Sequence, residues 1–452
     1  VIYAKHALLA SGWATNVRLS VQDGRINSII SGAKPSATDT QIDTLLPALS
    51  NLHSHTFQRA MAGMTEQRRA GRDSFWTWRD LMYRFMDRLT PDQIEAIAAL
   101  VFMQMQEAGY AAVGEFHYVH HQRGGTPYDT VAELSSRIFA AASATGIGLT
   151  HLPVLYTYGG AGQVALSERQ RRFDNNVDQF TALVDAARGG LTDMPDDTRL
   201  GIAPHSLRAT SPDDLRAALS GHEGGPIHIH IAEQPKEVTD IKAWLGARPV
   251  DWLLGNFEVG REWCLIHATH MTDQETRAVA ASGAVVGLCP ITEANLGDGA
   301  FNGGVYLAAG GMFGVGSDSN VNISLTEELR TLEYSQRLRD LSRNVLVIGT
   351  QSVGATLYLG AAHGGAKALS RDAGEIAEGR LADLVAIDSS DVALCTLSRE
   401  QLLDGLVFAA KDTVVTDLWS AGRHAVKSGR HIARDAITKN YRAAMSGLMA
   451  SI

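Results

Sequence analysis

Cysteine is scarce. Three thiols, Cys264, Cys289 and Cys395, are spread over 452 residues, odd in number and far apart. That excludes a disulfide framework and a thiolate zinc site, and reads as buried thiols in a reducing compartment. No apolar run approaches the roughly 18 residues a transmembrane helix needs, so none is predicted. Residues Val1 to Trp13 lack a basic segment followed by an apolar one. No secretory signal is therefore read there, and the cytoplasm is the expected location. Positive charge is also in deficit: 40 Lys and Arg against 49 Asp and Glu leave a formal net charge of −9. A nucleic-acid binder or a polybasic membrane reader needs an electropositive face, so both are disfavoured. Lysine is missing altogether between Lys34 and Lys236, so cations in that stretch come only as Arg.

What is present is a change of pattern along the chain. Val17–Val21 alternates, Gln22-Asp23-Gly24-Arg25 carries a hairpin signal, and Ile26–Ile30 returns. Near the other end, Gly374–Arg380 is turn-like, and Leu384–Ile387 and Val414–Trp419 read as strands. Neither piece is long enough for a core of its own. They are predicted to join into one small β-sandwich domain, residues 1–46 with 370–432. Between them, apolar strands alternate with helical segments: Leu45–Leu52, Ala111–Phe116, Gly148–Leu155, Leu200–Pro204, Ile227–Ile231, Trp263–His267, Ala284–Leu288 and Met312–Gly316. Pro91–Ala108, behind Thr90 as a cap and stopped by Gly109, and Thr130–Ala144 are examples of the helices. Such alternation predicts an α/β fold, a (β/α)8 TIM-type barrel over residues 47–369 with active groups at the carboxyl ends of its strands. Residues 433–452 are read as a C-terminal helix.

His53-Ser54-His55 closes the first candidate barrel strand, and residues i and i+2 of a strand share a face. With 16 histidines in the chain, such a pair alone is weak. It gains force from recurrences: His230-Ile231-Ala232-Glu233 ends the fifth strand, His267 the sixth, and Gly316-Ser317-Asp318-Ser319 the eighth. His228 shares a face with His230 but lies deeper and reads as a core histidine. The pair, a third histidine and one Asp from separate strand ends suit one divalent ion with a position left for water. Zn²⁺ is expected, with Fe²⁺ and Mn²⁺ as alternatives. Such an ion lowers the pKa of its water to about 7, which supplies hydroxide at neutral pH.

Leu46–His55, His230–Glu233, Cys289-Pro290, Gly316-Ser317-Asp318 and Gly379–Val385 together resemble the amidohydrolase superfamily, in order and over nearly the whole chain. Ala48 departs from the pattern, since relatives usually carry Gly after the Pro. Binuclear members usually bridge their ions with a modified Lys at the end of strand four. Here that strand end carries His205 and no Lys. The resemblance therefore implies a mononuclear site with His53, His55, His230 and Asp318 as ligands. It also implies hydrolysis of a carbon–nitrogen bond at an amidine-like carbon with release of ammonia. In that scheme His267 and Asp318 take and relay the proton of the water, and Glu233 delivers a proton to nitrogen. A plainer role for Glu233 is to cap the next helix or pair with Lys236.

Six stretches narrow the resemblance to the formimidoylglutamate deiminases: Asn51–Ala62, Asp73–Arg84, Glu115–His121, His205–Arg208, His228–Gln234 and Thr292–Gly299. That family implies conversion of N-formimino-L-glutamate to N-formyl-L-glutamate and ammonia in histidine degradation. Carried over by position, Gln58, Arg79, Tyr118, His205 and Arg208 hold the glutamate part. Arg suits this because its planar fork binds carboxylate bidentately. The plainer roles are a helix-surface salt bridge for Arg79, a contact to Asp213 or Asp214 for Arg208, and core packing for Trp76 and Trp78. A rival reading is a deaminase of an aromatic base such as guanine, which has no use for two Arg clamps. Another is a barrel without catalysis serving as an assembly subunit. As partners the sequence suggests a small dicarboxylate substrate, no nucleic acid and no membrane, with a homodimer as the assembly under consideration.

Overall fold

The two ends of the chain meet in one sheet. Strands β1 (Ile2–Leu9), β2 (Gly12–Gln22), β3 (Arg25–Ile30) and β4 (Thr40–Pro47) come from the amino end. β14 (Leu384–Ile387), β15 (Val415–Ser420), β16 (Arg423–Lys427) and β17 (Arg430–His431) come from the carboxyl end. In this computed structural model, which describes residues 1–66 and 75–450 and only the backbone of Trp76 and Asp80, the order is β17-β16-β15-β14-β4-β1-β2-β3. The seam is the antiparallel pairing of β4 with β14, with Leu46 opposite Val385. Leu19, Leu45, Leu384 and Trp419 share one small core beneath it. The Asp23-Gly24 signal forms the β2–β3 turn, with φ of 49° and 75° at its two residues, the left-handed pair that a two-residue hairpin needs.

The barrel begins one residue after β4. Its strands are β5 (Leu49–Ser54), β6 (Tyr110–His117), β7 (Gly148–Leu155), the short pieces β8 (Arg199–Leu200) and β9 (Ala203–Pro204), β10 (Ile227–Ile231), β11 (Trp263–His267), β12 (Val285–Leu288) and β13 (Met312–Val315). All neighbours pair in parallel. Parallel bridges Ile202–Ile227 and Ser54–Asp318 close the ring. The expected strand Leu45–Leu52 is in fact two. Ala48 divides it, its N–H bound to Asp383 O at 3.0 Å, and the continuous apolar run hides the change of sheet. Strand four is likewise broken into two dipeptides around Gly201-Ile202.

Closure between β5 and β13 depends on a glycine. A Cβ on Gly316 would lie 2.7 Å from both the backbone N and O of His53. Only a bare backbone lets the end of the eighth strand reach the His53–His55 segment.

The helix Pro91–Glu107 starts at Thr90 with a reciprocal capping box to Gln93 and ends before Gly109. The helix predicted over Thr130–Ala144 spans Glu133–Thr145. The helix Arg434–Met449 lies against Pro91–Glu107, where Gln93 Nε2 donates to Ala444 O at 3.3 Å. Cys264 and Cys289 are buried, but Cys395 is exposed in the turn region after β14, against the expectation of three buried thiols.

Sheet and barrel are joined by buried charge. Arg371 Nη2 donates to Asp383 at 2.9 Å and to Asp197 at 3.1 Å. Arg423 Nη1 and Nη2 donate to the same Asp197 at 2.7 and 2.8 Å. No helix among the described residues is long and apolar enough to cross a membrane.

Candidate active site

His53 and His55 leave the end of β5 on one face, and His230 leaves β10 toward them. His53 Nε2 lies 3.1 Å from His55 Nε2 and 3.0 Å from His230 Nε2. Asp318 Oδ1 lies 3.3 Å from His55 Nε2 and 3.5 Å from His53 Nε2. All four offer donor atoms within 4.8 Å of one another. The tautomers follow from what stands behind each ring. His55 Nδ1 meets Phe116 O at 2.9 Å and His230 Nδ1 meets His205 O at 3.1 Å, and a carbonyl can only accept. Both Nε2 atoms therefore present lone pairs to His53, which has a single proton and can satisfy one of them. A cation among the three resolves this conflict, and the carbonyl-backed rings are the usual orientation of metal-ligating histidines.

The local electrostatics point the same way. Burial, reinforced by His55, pushes the His53 imidazolium down to about 3, so it is neutral at pH 7. Burial alone would raise Asp318, but the hydrogen bond with His53 and the charges of His55 and His53 outweigh it and hold the carboxyl far below its usual range. A second set, His267, Cys289 and Asp318, shares Asp318 with the first.

Above this quartet is a cavity of about 700 Å³. Its wall includes Gln58, Arg79, Tyr118, His205, Arg208, Glu233 and His267, together with His55, His230 and Asp318. His53 lies beneath, fully buried. Gln58 Nε2 donates to Tyr118 Oη at 2.7 Å, while Gln58 Oε1 has no partner. Arg79 stands over the Tyr83 ring at 5.6 Å, and Trp78 also lines the cavity. Asp73, Ser74 and the Trp76 side chain lie outside the described residues.

Glu233 does not pair with Lys236, whose Nζ lies 2.5 Å from Asp240. It accepts instead from Arg208 Nη2 at 2.9 Å. Asp213 and Asp214, the sequence-level partners for Arg208, are engaged by Arg216 and Ser211. On the other side, His267 Nε2 stands 3.9 Å from Glu233 Oε1 and 4.0 Å from Asp318 Oδ2. Burial alone would lower the His267 imidazolium. The hydrogen bond with Glu293 and the charges of Glu233 and Asp318 reverse this and carry it up to about 10.

The amidohydrolase family model matches residues 44–425. The chain belongs to the amidohydrolase family. Residues 1–42 of this amidohydrolase match a second model, the N-terminal domain of formimidoylglutamate deiminase HutF. It is 50% identical over 433 residues to formimidoylglutamate deiminase of Pseudomonas aeruginosa, with 95% of each chain covered. A solved structure of an amidohydrolase from Brucella melitensis superposes with a TM-score of 0.95 at 46% identity, covering 99% of both chains. A zinc-bound adenosine deaminase from Xanthomonas campestris shares the fold at a TM-score of 0.80 and 21% identity, covering 99% of this chain and 98% of its own.

Two residues of the amidohydrolase site had no role in the sequence reading. Glu293 accepts from Cys289 N at 2.8 Å and faces His267 Nδ1 at 3.2 Å. Glu237, fully buried, accepts the backbone N–H groups of Ala232 and Glu233 at 3.1 Å each. The signal for Glu237 was its i+4 spacing from Glu233 on a helix start. Glu293 had none, because its partner comes from another strand.

Proposed function

We infer that this amidohydrolase hydrolyses the formimino carbon–nitrogen bond of N-formimino-L-glutamate, leaving N-formyl-L-glutamate and ammonia. The observation that carries the reading is the joining of two features in one cavity. A metal-type His/Asp quartet lies at its floor, and two arginines, Arg79 and Arg208, stand in its wall. The 50% identity with a formimidoylglutamate deiminase supports it along the whole chain.

His53, His55, His230 and Asp318 would hold one divalent ion, Zn²⁺ in the first instance, which supplies activated water at neutral pH. Asp318 and His267 take and relay the proton of that water, their facing atoms lying 4.0 Å apart. The charge of an ion in the quartet would offset the carboxylates that raise His267 and so free its Nε2 to accept. Glu233 passes the first of the water's two protons to the imino nitrogen and the second as the carbonyl forms and the C–N bond breaks, so ammonia leaves neutral. Gln58, Arg79, Tyr118, His205 and Arg208 hold the glutamate part, the arginines pairing with its carboxylates. The enzyme acts in the cytoplasm on a free small molecule.

The test is ammonia release from N-formimino-L-glutamate beside guanine and cytosine, with the formyl product identified by mass. Turnover of the formimino substrate alone is expected. Turnover of guanine with none of the formimino compound would overturn the reading.

A further inference from the structure

Arg208 lines the cavity yet is already engaged. Its Nη2 donates to Glu233 Oε2 at 2.9 Å, and its Nε stands 3.6 Å from Glu237 Oε2 with no hydrogen-bond partner. These two carboxylates differ in freedom. Glu237 is fully buried and bound by both oxygens to backbone N–H groups of the β10 end, so it stays. Glu233 lines the cavity, and its carboxylate can swing about its own side-chain bonds while Glu237 fixes its backbone N–H. A bidentate grip on an incoming carboxylate uses two parallel N–H groups of the guanidinium. With the Nε edge turned to Glu237, the end-on pair remains, and it includes the Nη2 that Glu233 occupies.

We propose that Arg208 is handed from Glu233 to a substrate carboxylate when the glutamate part binds, while Glu237 acts as a positioning residue that holds the guanidinium through the exchange. The proposal rests on the functional reading above and adds a coupling to it. Binding of the correct carboxylate releases Glu233 beside the formimino nitrogen. A ligand lacking that carboxylate leaves Glu233 tied to Arg208. Recognition at the far end of the substrate is then expressed in kcat as well as in KM, as expected when remote binding energy assembles the reacting groups.

Competition for Arg208 predicts an effect that loss of a catalytic group alone would not produce. Calorimetry with N-formyl-L-glutamate, which requires no turnover, should show Glu233→Gln binding about tenfold more tightly than wild type, the scale of one charge-assisted hydrogen bond freed from a competitor. Glu233→Asp, whose shorter side chain retracts the carboxylate, should move the same way. Both gains should vanish in an Arg208→Met background. Unchanged or weaker binding in Glu233→Gln, or a gain that survives Arg208→Met, would overturn the hand-over even if wild type releases ammonia from N-formimino-L-glutamate. If wild type neither binds the formyl compound nor acts on the formimino one, the functional reading falls first and the hand-over with it.

Discussion

His267 Nδ1 lies 3.2 Å from Glu293 Oε1, so the imidazole whose Nε2 faces Glu233 and Asp318 is tethered from behind by a further carboxylate. His267 itself has a positive φ of 68°, a conformation that bulky residues adopt only when their surroundings impose it. Glu293 comes from the helix Pro290–Leu296 after β12, and the ring from β11. The tether sets which ring nitrogen faces Glu233 and Asp318.

Glu293→Gln keeps the acceptor but loses its charge, and Glu293→Ala loses both. We expect kcat to fall about 10-fold in the first and about 100-fold in the second, with the metal retained, in line with the usual effect of such supporting groups. Steady-state kinetics with metal analysis checks this, and an unchanged kcat in Glu293→Ala would remove the tether from the mechanism.

Metal content should track the quartet. His53→Ala and His230→Ala should lose ion and activity together, and elemental analysis of wild type should give one tightly held ion per chain. Chelation should lower Tm, because an ion that binds only the folded quartet stabilises it. Full activity after chelation, or two tight ions per chain, contradicts the mononuclear reading.

Glu233 and Arg79 should separate in kinetics. Glu233→Gln should keep its metal while kcat falls about 10²–10⁴-fold, the usual contribution of a general acid. Arg79→Met should lower kcat/KM about 10- to 150-fold, the equivalent of about 1.5–3 kcal/mol for a lost charge-assisted contact. Wild-type kinetics in Arg79→Met would leave the aromatic-base alternative standing.

The buried Arg371–Asp197–Arg423 junction should matter for stability rather than chemistry. Arg371→Met leaves buried Asp383 without its cation and Asp197 with Arg423 alone, and a loss of about 3–5 kcal/mol is expected in urea unfolding. Burial alone would raise the Asp197 carboxyl, but the Arg423 hydrogen bond and the charge of Arg371 hold it below its usual value. Its contribution is therefore complete above about pH 3.9 and is lost as pH falls through the lowered folded value. Acid unfolding of Arg371→Met should show a smaller loss in that low-pH window than wild type.

Acid should act earlier through buried neutral histidines. Burial, helped by His120, pushes His151 down to about 3. The unfolded chain takes up this proton from about pH 6.5 downward while the folded chain does not, so stability is lost from there toward about pH 3. His151→Gln should reduce the slope of unfolding free energy against pH by up to about 1.4 kcal/mol per unit in this window. An identical slope in the variant would show that His151 is not held neutral.

Much of this was legible along the chain because it rests on local rules. Period-two and apolar-run patterns marked the strands, Asp23-Gly24 marked a turn, and the i, i+2 spacing of His53 and His55 placed two imidazoles on one face whatever the rest of the fold did. The split at Ala48 was invisible because buried strands of either sheet have the same apolar signature. Three things were decided only by tertiary structure. Glu293 comes to His267 from the next βα unit, Arg208 turns to Glu233 instead of the nearby Asp213 and Asp214, and Arg371, which holds Asp383, meets Asp197 from 174 residues away in sequence. Side-chain charge says that a partner is needed. Which partner it meets depends on how the strand ends are arranged around a closed ring, and that arrangement follows from packing the whole barrel.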